Sequence, residues 1–134
     1  LFDVLSKQSI LSRSVVPTPW SDDRAAAFRE GLNLGLSGQL SASIFTIRAR
    51  HIIYNQNPED NYYRLSGMLI GDELAYLQER SETIILAAPN PVFSLYRQAL
   101  ESFIGPQRLV LLDGKILAKA LLVGQKKILT LYGN

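Results

Sequence analysis

The chain has 134 residues, which suits one domain by the usual range of roughly 100 to 200 residues and excludes a two-domain enzyme. With 47% hydrophobic and 19% charged residues and a mean hydropathy of +0.07, it is too apolar to be disordered. The absence of cysteine excludes disulfides, thiolate metal sites and thiol catalysis, and is compatible with a cytoplasmic location.

The sequence contains no apolar run near the roughly 18 residues of a membrane span, and its first ten residues lack the pattern of a secretory signal. We therefore expect a soluble protein without a membrane partner. The chain begins at Leu1 and not at methionine, so we expect a missing segment on its N-terminal side. The basic residues after position 106 lie on several helix faces without interleaved aromatic residues, which predicts no nucleic-acid partner.

The first part of the chain, about residues 21–79, has the pattern of helices. A segment with strand or turn character, Ser9 to Val16, precedes a proline-rich loop, and a helix begins at Ser21–Asp22, where side chains can cap it. Gly35 and Gly38 mark the end of this helix. Its apolar side consists of Ala25, Phe28, Leu32 and Leu36.

Two further helices are predicted in this part. One runs from about Ser41 to Ile53, and its expected apolar side consists of Ile44, Phe45 and Ile52. The other begins with Asn57 as the cap and Pro58 at the first position, followed by two acidic residues that suit the helix dipole. This helix continues to about Glu79, with apolar positions at Tyr62, Leu65, Leu69 and Tyr76.

The second part, about residues 83–131, reads strand, helix, strand, helix. The runs Thr83–Ala87 and Arg108–Leu112 are typical of buried strands, a helix begins at Pro91, and Asp113 caps a last helix. The apolar positions of the last helix are Leu117, Leu121, Ile128 and Leu131. Short turns predict a parallel βαβ unit with a right-handed crossover. Since two strands cannot form a parallel sheet covered on both faces, we expect missing sequence, or a second copy in a homo-oligomer, to supply the rest.

The turn from Ala87 to Pro91, with Ala88, Pro89 and Asn90 at its centre, follows a strand and precedes a helix. Ligands of open α/β sheets bind at this position, where helix N–H groups favour phosphate or polar ring edges. The same prolines also suit a plain turn.

Three other positions are candidates for a role beyond ordinary helix structure. Gly67 and Gly71 lie one turn apart in a strong helix, which indicates either close packing against another element or a flat ligand on the glycine face. Arg48 lies in register with Ile44 and Ile52, so its guanidinium needs a route to solvent, an internal ion pair, or a substrate carboxylate.

The neighbours of Arg48 carry less information. Arg50 is expected to be exposed, and His51, the single histidine, has no Ser or Asp partner at motif spacing, so an ordinary helix position is favoured over catalysis. The sequence has no P-loop, no dinucleotide glycine fingerprint and no metal-ligand cluster. The residues alone therefore indicate a ligand-binding turn without a catalytic group.

Five segments, taken in order, resemble the C-terminal portion of 2-dehydro-3-deoxygalactonokinases and cover nearly the whole chain. They are LFDVLSKQSIL, IFTIRARHII, YYRLSGMLIGDEL, TIILAAPNPVFSLYRQAL and LDGKILAKALLVGQKKIL. The resemblance implies an α/β fold: residues 1–134 as the single C-terminal lobe of an actin-like, ribonuclease H-like sugar kinase, helix-rich with a short parallel βαβ unit.

The resemblance also implies transfer of the ATP γ-phosphate, with Mg²⁺, to the 6-hydroxyl of 2-dehydro-3-deoxy-D-galactonate in galactonate breakdown. The implied adenosine contacts are Gly67, Gly71, Ala88, Pro89 and Asn90, although the family usually has a glycine in this turn where Ala88 and Pro89 stand here. The phosphate-binding segment and the general base would lie in a missing N-terminal lobe, so the chain alone is expected to be inactive. The alternative is a complete helical α/β interaction or ligand-binding module without activity.

Overall fold

A computed structural model of the chain describes residues 1–132. Contacts divide it into two compact units, residues 1–79 and residues from Arg80 onward, and this border lies between the two parts that the sequence pattern distinguishes. The first unit is helical. It contains α1 (Phe2–Gln8), α2 (Ala25–Leu36), α3 (Leu40–Ser43), α4 (Thr46–Tyr54) and α5 (Pro58–Leu74), with 3-10 turns at Asp22–Arg24 and Ala75–Glu79.

The pair α2 and α5 forms the centre of the first unit, and four glycines set the distance between these helices. A Cβ on Gly67 would lie 2.2 Å from the carbonyl oxygen of Phe28, and a Cβ on Gly71 would lie 2.4 Å from that of Leu32. A Cβ on Gly31 or Gly35 would come within 2.0 or 2.2 Å of a carbonyl oxygen of α5. Only glycine therefore permits this backbone contact.

Side chains around the helix pair form the hydrophobic core. Its buried cluster consists of Leu11, Val15, Ile44, Ile47, Leu65 and Met68. Trp20, from the proline-rich loop, packs edge-on against Phe28 at 6.0 Å and against Tyr63 at 5.0 Å between ring centroids. The loop is therefore fixed to both central helices by aromatic contacts, which favour this edge-to-face geometry.

The opening segment takes the turn alternative of its prediction: residues 9–14 form a bend and turns, no strand lies among residues 9–16, and a helix precedes them. Helix α1 ends where Ser9 bonds to the backbone: its Oγ donates to the carbonyl oxygen of Leu5 at 2.5 Å and accepts from the N–H of Leu11 at 3.0 Å. Such local side-chain bonds compete with helix continuation. Leu11, within this turn, and Val15, directly after it, are buried.

The predicted helix over residues 41–53 is interrupted, and its expected apolar side is wrong. The regular helix is interrupted at Ile44 and Phe45, although both keep right-handed helical dihedrals. The Thr46 hydroxyl donates to the Ser43 carbonyl oxygen, a bond that competes with helix hydrogen bonding. Ile44 and Ile47 point inward, whereas Phe45 is 58% and Ile52 65% exposed.

Helix α5 begins as predicted, with Pro58 at the first position and Asn57 as the cap. The Asn57 side chain accepts a hydrogen bond from the N–H of Glu59 at 2.9 Å. The helix ends at Leu74 and continues as the 3-10 turn Ala75–Glu79. Ser21, also predicted as a cap, makes no capping side-chain bond.

Asn57→Ala is expected to lower the free energy of unfolding by about 1 kcal/mol, because one N-terminal N–H of α5 loses its acceptor. Ser21→Ala is the matched control and should leave stability unchanged, since its hydroxyl caps nothing. Urea unfolding followed by Trp20 fluorescence measures both. Equal losses in the two variants would contradict the capping geometry.

The second unit confirms the predicted parallel strand pair, but the strands are not buried as predicted, since Leu86 alone among their residues is buried. It consists of β1 (Ile84–Ala87), α6 (Val92–Glu101), β2 (Leu109–Leu112) and α7 (Gly114–Tyr132), with a 3-10 turn at Pro106–Arg108. The strands pair in register from Ile84 opposite Leu109 to Ala87 opposite Leu112. Asp113 Oδ1 accepts from the N–H of Ile116 at 2.9 Å, so the predicted start of α7 is also confirmed. The chain is thus a helix-rich α/β protein with a small parallel sheet.

Helix α7 lacks a covered side: none of its residues is buried in the part of the chain that the structure describes. The predicted apolar positions Leu121, Ile128 and Leu131 are 60 to 68% exposed. Of the helices within residues 1–132, none combines the length and apolarity that crossing a membrane requires.

Candidate functional site

The turn between β1 and α6 lies at the carboxyl edge of the two-stranded sheet. Ala87 pairs with Leu112, so the two strands end side by side and the turns that follow them are neighbours. A Cβ on Gly114, at the start of α7, would lie 3.6 Å from the Cα of Pro89. Pro89 and Asn90 are exposed, and this edge is where open α/β sheets bind ligands.

Hydrogen bonds hold the turn against the first residues of α6. The N–H of Phe93 donates to the carbonyl oxygen of Pro89 at 3.0 Å, and Ser94 Oγ donates to Asn90 Oδ1 at 2.9 Å. Phe93 is buried below the turn. The position of Ala88, Pro89 and Asn90 is therefore fixed by the helix that follows.

Gly67 and Gly71, which the resemblance implied as adenosine contacts, lie in the contact between α5 and α2. Their side of α5 is covered by the backbone of α2, as the close approach to Phe28 and Leu32 shows. Both glycines are buried. Close packing therefore explains them, and a flat ligand on this face would have to displace α2.

Arg48 is an exposed residue of α4 and lines a cavity of about 400 Å³. Within residues 1–132 it has no carboxylate partner within 4.0 Å, so the internal ion pair considered from the sequence does not form. Arg50, expected to be exposed, is half-buried and pairs with Glu30.

A buried polar network next to this cavity was not predicted. Arg64 is 6% exposed and donates from Nε and Nη2 to Glu30 Oε2 at 3.0 and 2.9 Å, and from Nη1 to Asn61 Oδ1 at 2.6 Å. Burial raises the pKa of Glu30, but hydrogen bonds from Arg64 and Arg50 outweigh it and hold that pKa below its ordinary value. The sequence offered one signal for this network: Arg64 stands between apolar residues of a strongly predicted helix.

The network continues to the loop that forms one wall of the cavity. Asn61, fully buried, donates from Nδ2 to the carbonyl oxygen of Ser14 at 3.0 Å. Ser14 Oγ and His51 Nδ1 are hydrogen-bonded at 3.0 Å. The ordinary helix position expected for His51 is thus a wall of the cavity with a serine partner 37 residues earlier in the chain.

The described part of the chain contains no candidate metal site, because it holds no group of three or more His, Cys, Asp or Glu residues suited to a metal ion. We therefore assign no Mg²⁺ ligand to these residues.

Comparison with known proteins identifies one family that this chain matches. A model of the family described as 2-keto-3-deoxy-galactonokinase matches residues 1–132. A Rhizobium meliloti (strain 1021) protein assigned as a 2-dehydro-3-deoxygalactonokinase is 30% identical over 107 residues, 76% of this chain and 35% of that protein. The crystal structure of a Sinorhizobium meliloti protein with the same assignment matches with a TM-score of 0.77 and 25% identity, over 92% of this chain and 40% of that one.

The chain thus spans well under half the length of these two relatives. The family match extends over both units, and the structural match covers nearly all of the chain. The resemblance seen in the sequence is confirmed, and the chain belongs to the 2-keto-3-deoxy-galactonokinase family.

Proposed function

We propose that this chain is the C-terminal lobe of a cytoplasmic sugar-acid kinase with an actin-like, ribonuclease H-like fold. The complete enzyme would transfer the γ-phosphate of ATP to the 6-hydroxyl of 2-dehydro-3-deoxy-D-galactonate in galactonate breakdown. The observation that carries the proposal is the family match over residues 1–132, on a chain that covers 35 to 40% of its relatives.

The proposed nucleotide contact of this chain is the turn of Ala88, Pro89 and Asn90. Its exposure at the carboxyl edge of a parallel sheet and its fixed position before α6 support a contact with the adenosine part of ATP. Phosphoryl transfer depends mainly on positioning and on neutralising charge with Mg²⁺. The groups that hold Mg²⁺ and the general base are proposed to lie in the rest of the enzyme.

Two exposed apolar surfaces of the second unit support the proposal that the complete enzyme has a further lobe. On the sheet, Ile85 is 63% and Val110 42% exposed, and α7 keeps its apolar side chains in solvent. Apolar surface of this extent is typical of an interface. We propose that the N-terminal lobe covers it, and that the chain alone is inactive.

The full-length gene product is expected to form a 6-phosphate ester from 2-dehydro-3-deoxy-D-galactonate and ATP, detected by ³¹P NMR together with ADP release. Galactose, which lacks the carboxylate, is the control. Equal phosphorylation of galactose would contradict a sugar-acid kinase. Failure to phosphorylate any of these compounds would favour the alternative, an interaction or ligand-binding module without activity.

A further inference from the structure

The cavity beside α4 combines two arginines, a histidine and two serines. Its polar lining consists of Ser12, Arg13, Ser14, Arg48 and His51, completed by two isoleucines, and its volume is about 400 Å³. The lining contains no acidic residue. We propose that this cavity is a binding site for a small oxyanion, a carboxylate or a phosphate group, held by Arg13 and Arg48.

The helix geometry brings the α4 groups to one wall. Arg48, His51 and Ile52 are three and four residues apart, so they project from the same face of α4. Ile47, about a quarter of a turn around this helix from Arg48, is fully buried in the core. The helix is therefore anchored by its apolar side while its cationic side lines the cavity.

The opposite wall is a turn that buried groups hold in place. Leu11 and Val15 are buried on either side of Arg13, and Asn61 donates to the Ser14 carbonyl oxygen at 3.0 Å. The N–H of Val16 donates to the carbonyl oxygen of Pro58 at 3.0 Å. Arg13 thus projects from a backbone fixed before any ligand arrives, which reduces the entropy cost of binding.

The two cavity arginines lack the carboxylate partners that three other arginines of the first unit have. Arg24 pairs with Glu59, and both Arg50 and Arg64 pair with Glu30. Across residues 1–132, Arg13, Arg48 and Arg29 have no Asp or Glu oxygen within 4.0 Å, but of these three only Arg13 and Arg48 line the cavity. Two positive charges that share a concave surface without a counter-charge attract an anion.

The chemistry of the lining defines the ligand class. A guanidinium binds carboxylate or phosphate oxygens through paired N–H donors, and serine hydroxyls bond to either oxygen or hydroxyl groups. In the proposed enzyme the oxyanion would be the substrate carboxylate or the product phosphate. That assignment rests on the proposed function, whereas the oxyanion site rests on the cavity alone.

The test is a calorimetric titration of the chain, without ATP, with D-galactonate, D-galactose 6-phosphate and neutral D-galactose. We expect at least one of the two anions to bind and galactose not to bind. Arg13→Gln and Arg48→Gln should each raise the dissociation constant of that anion by roughly tenfold or more. Arg29→Gln removes an exposed arginine of α2 outside the cavity lining and should change nothing.

The anion that binds identifies its source: galactonate indicates the carboxylate, and the sugar phosphate indicates the phosphate group. The proposal is overturned if neither anion binds, if galactose binds equally well, or if Arg29→Gln weakens binding as much as Arg48→Gln. Because the titration involves no turnover, failed phosphotransfer by the full-length protein would leave this result unaffected. Failed binding beside intact phosphotransfer would refute the cavity site alone.

Discussion

Gly67→Ala is expected to lower the free energy of unfolding of the first unit by about 2 kcal/mol. The added methyl group would lie 2.2 Å from the Phe28 carbonyl oxygen and 2.7 Å from the Leu32 nitrogen, so α2 and α5 must move apart. Overpacking of this kind costs about 1 to 3 kcal/mol, or more where backbone must shift, and the better helix propensity of alanine returns up to about 1 kcal/mol.

Urea unfolding followed by circular dichroism and by Trp20 fluorescence measures this loss, since Trp20 packs against Phe28 on α2 and Tyr63 on α5. Gly124→Ala is the control, because it adds the same methyl group to α7 where no heavy atom lies within 4 Å apart from its chain neighbours and the adjacent backbone of the same helix. That variant should be as stable as the parent or up to about 1 kcal/mol more stable. An unchanged midpoint for Gly67→Ala would contradict the backbone contact.

Glu30→Ala is expected to cost about 2 to 3 kcal/mol of unfolding free energy. It removes the carboxylate that pairs with the buried Arg64 guanidinium, which keeps only Asn61 as a side-chain partner. Breaking a fully buried pair costs about 3 to 5 kcal/mol, and the 37% exposure of the Glu30 side chain reduces this. Replacing both partners, as Glu30→Ala with Arg64→Met, should recover part of the loss.

The matched control is Asp3→Ala, which removes an exposed ion pair to Lys7 at 3.1 Å and should cost at most about 0.5 kcal/mol. The pH dependence provides a second check. Because the folded-state pKa of Glu30 lies below its ordinary value of 4.5, its contribution is present above that value and is lost as the pH falls through the folded pKa. Glu30→Ala should therefore flatten the acid limb of the stability curve, and an unchanged limb would refute the network.

The sequence alone was sufficient to predict the features that depend on residues close together in the chain. The start of α5 depends on Asn57 and Pro58, two adjacent residues, and the cap at Asp113 likewise acts within its own first turn. The strand pair followed from two short β-branched or leucine-rich runs bounded by turns. Membership of the kinase family followed from ordered segments along the chain.

The remaining features depend on residues that are distant in sequence. Glu30 meets Arg64 across 34 residues, and Ser14 meets His51 across 37, so no spacing rule could find either pair. The glycines at 67 and 71 left close packing and a flat ligand as alternatives, and nothing in their spacing indicated a second glycine pair on α2, Gly31 and Gly35, as the packing partner. The expected face of α4 was wrong because Ile44 and Ile47, three residues apart, face the core, whereas Phe45 and Ile52 lie on exposed faces.

We propose that this chain is one part of a sugar-acid kinase and that it needs the remaining part for chemistry. The most direct test of this proposal is the rate of ADP formation from ATP and 2-dehydro-3-deoxy-D-galactonate, measured side by side for the full-length gene product and for the 134-residue chain. We predict sugar-acid-dependent ADP formation by the full-length protein and none by the chain alone. Turnover by the chain alone, or none by the full-length protein, would contradict the claim.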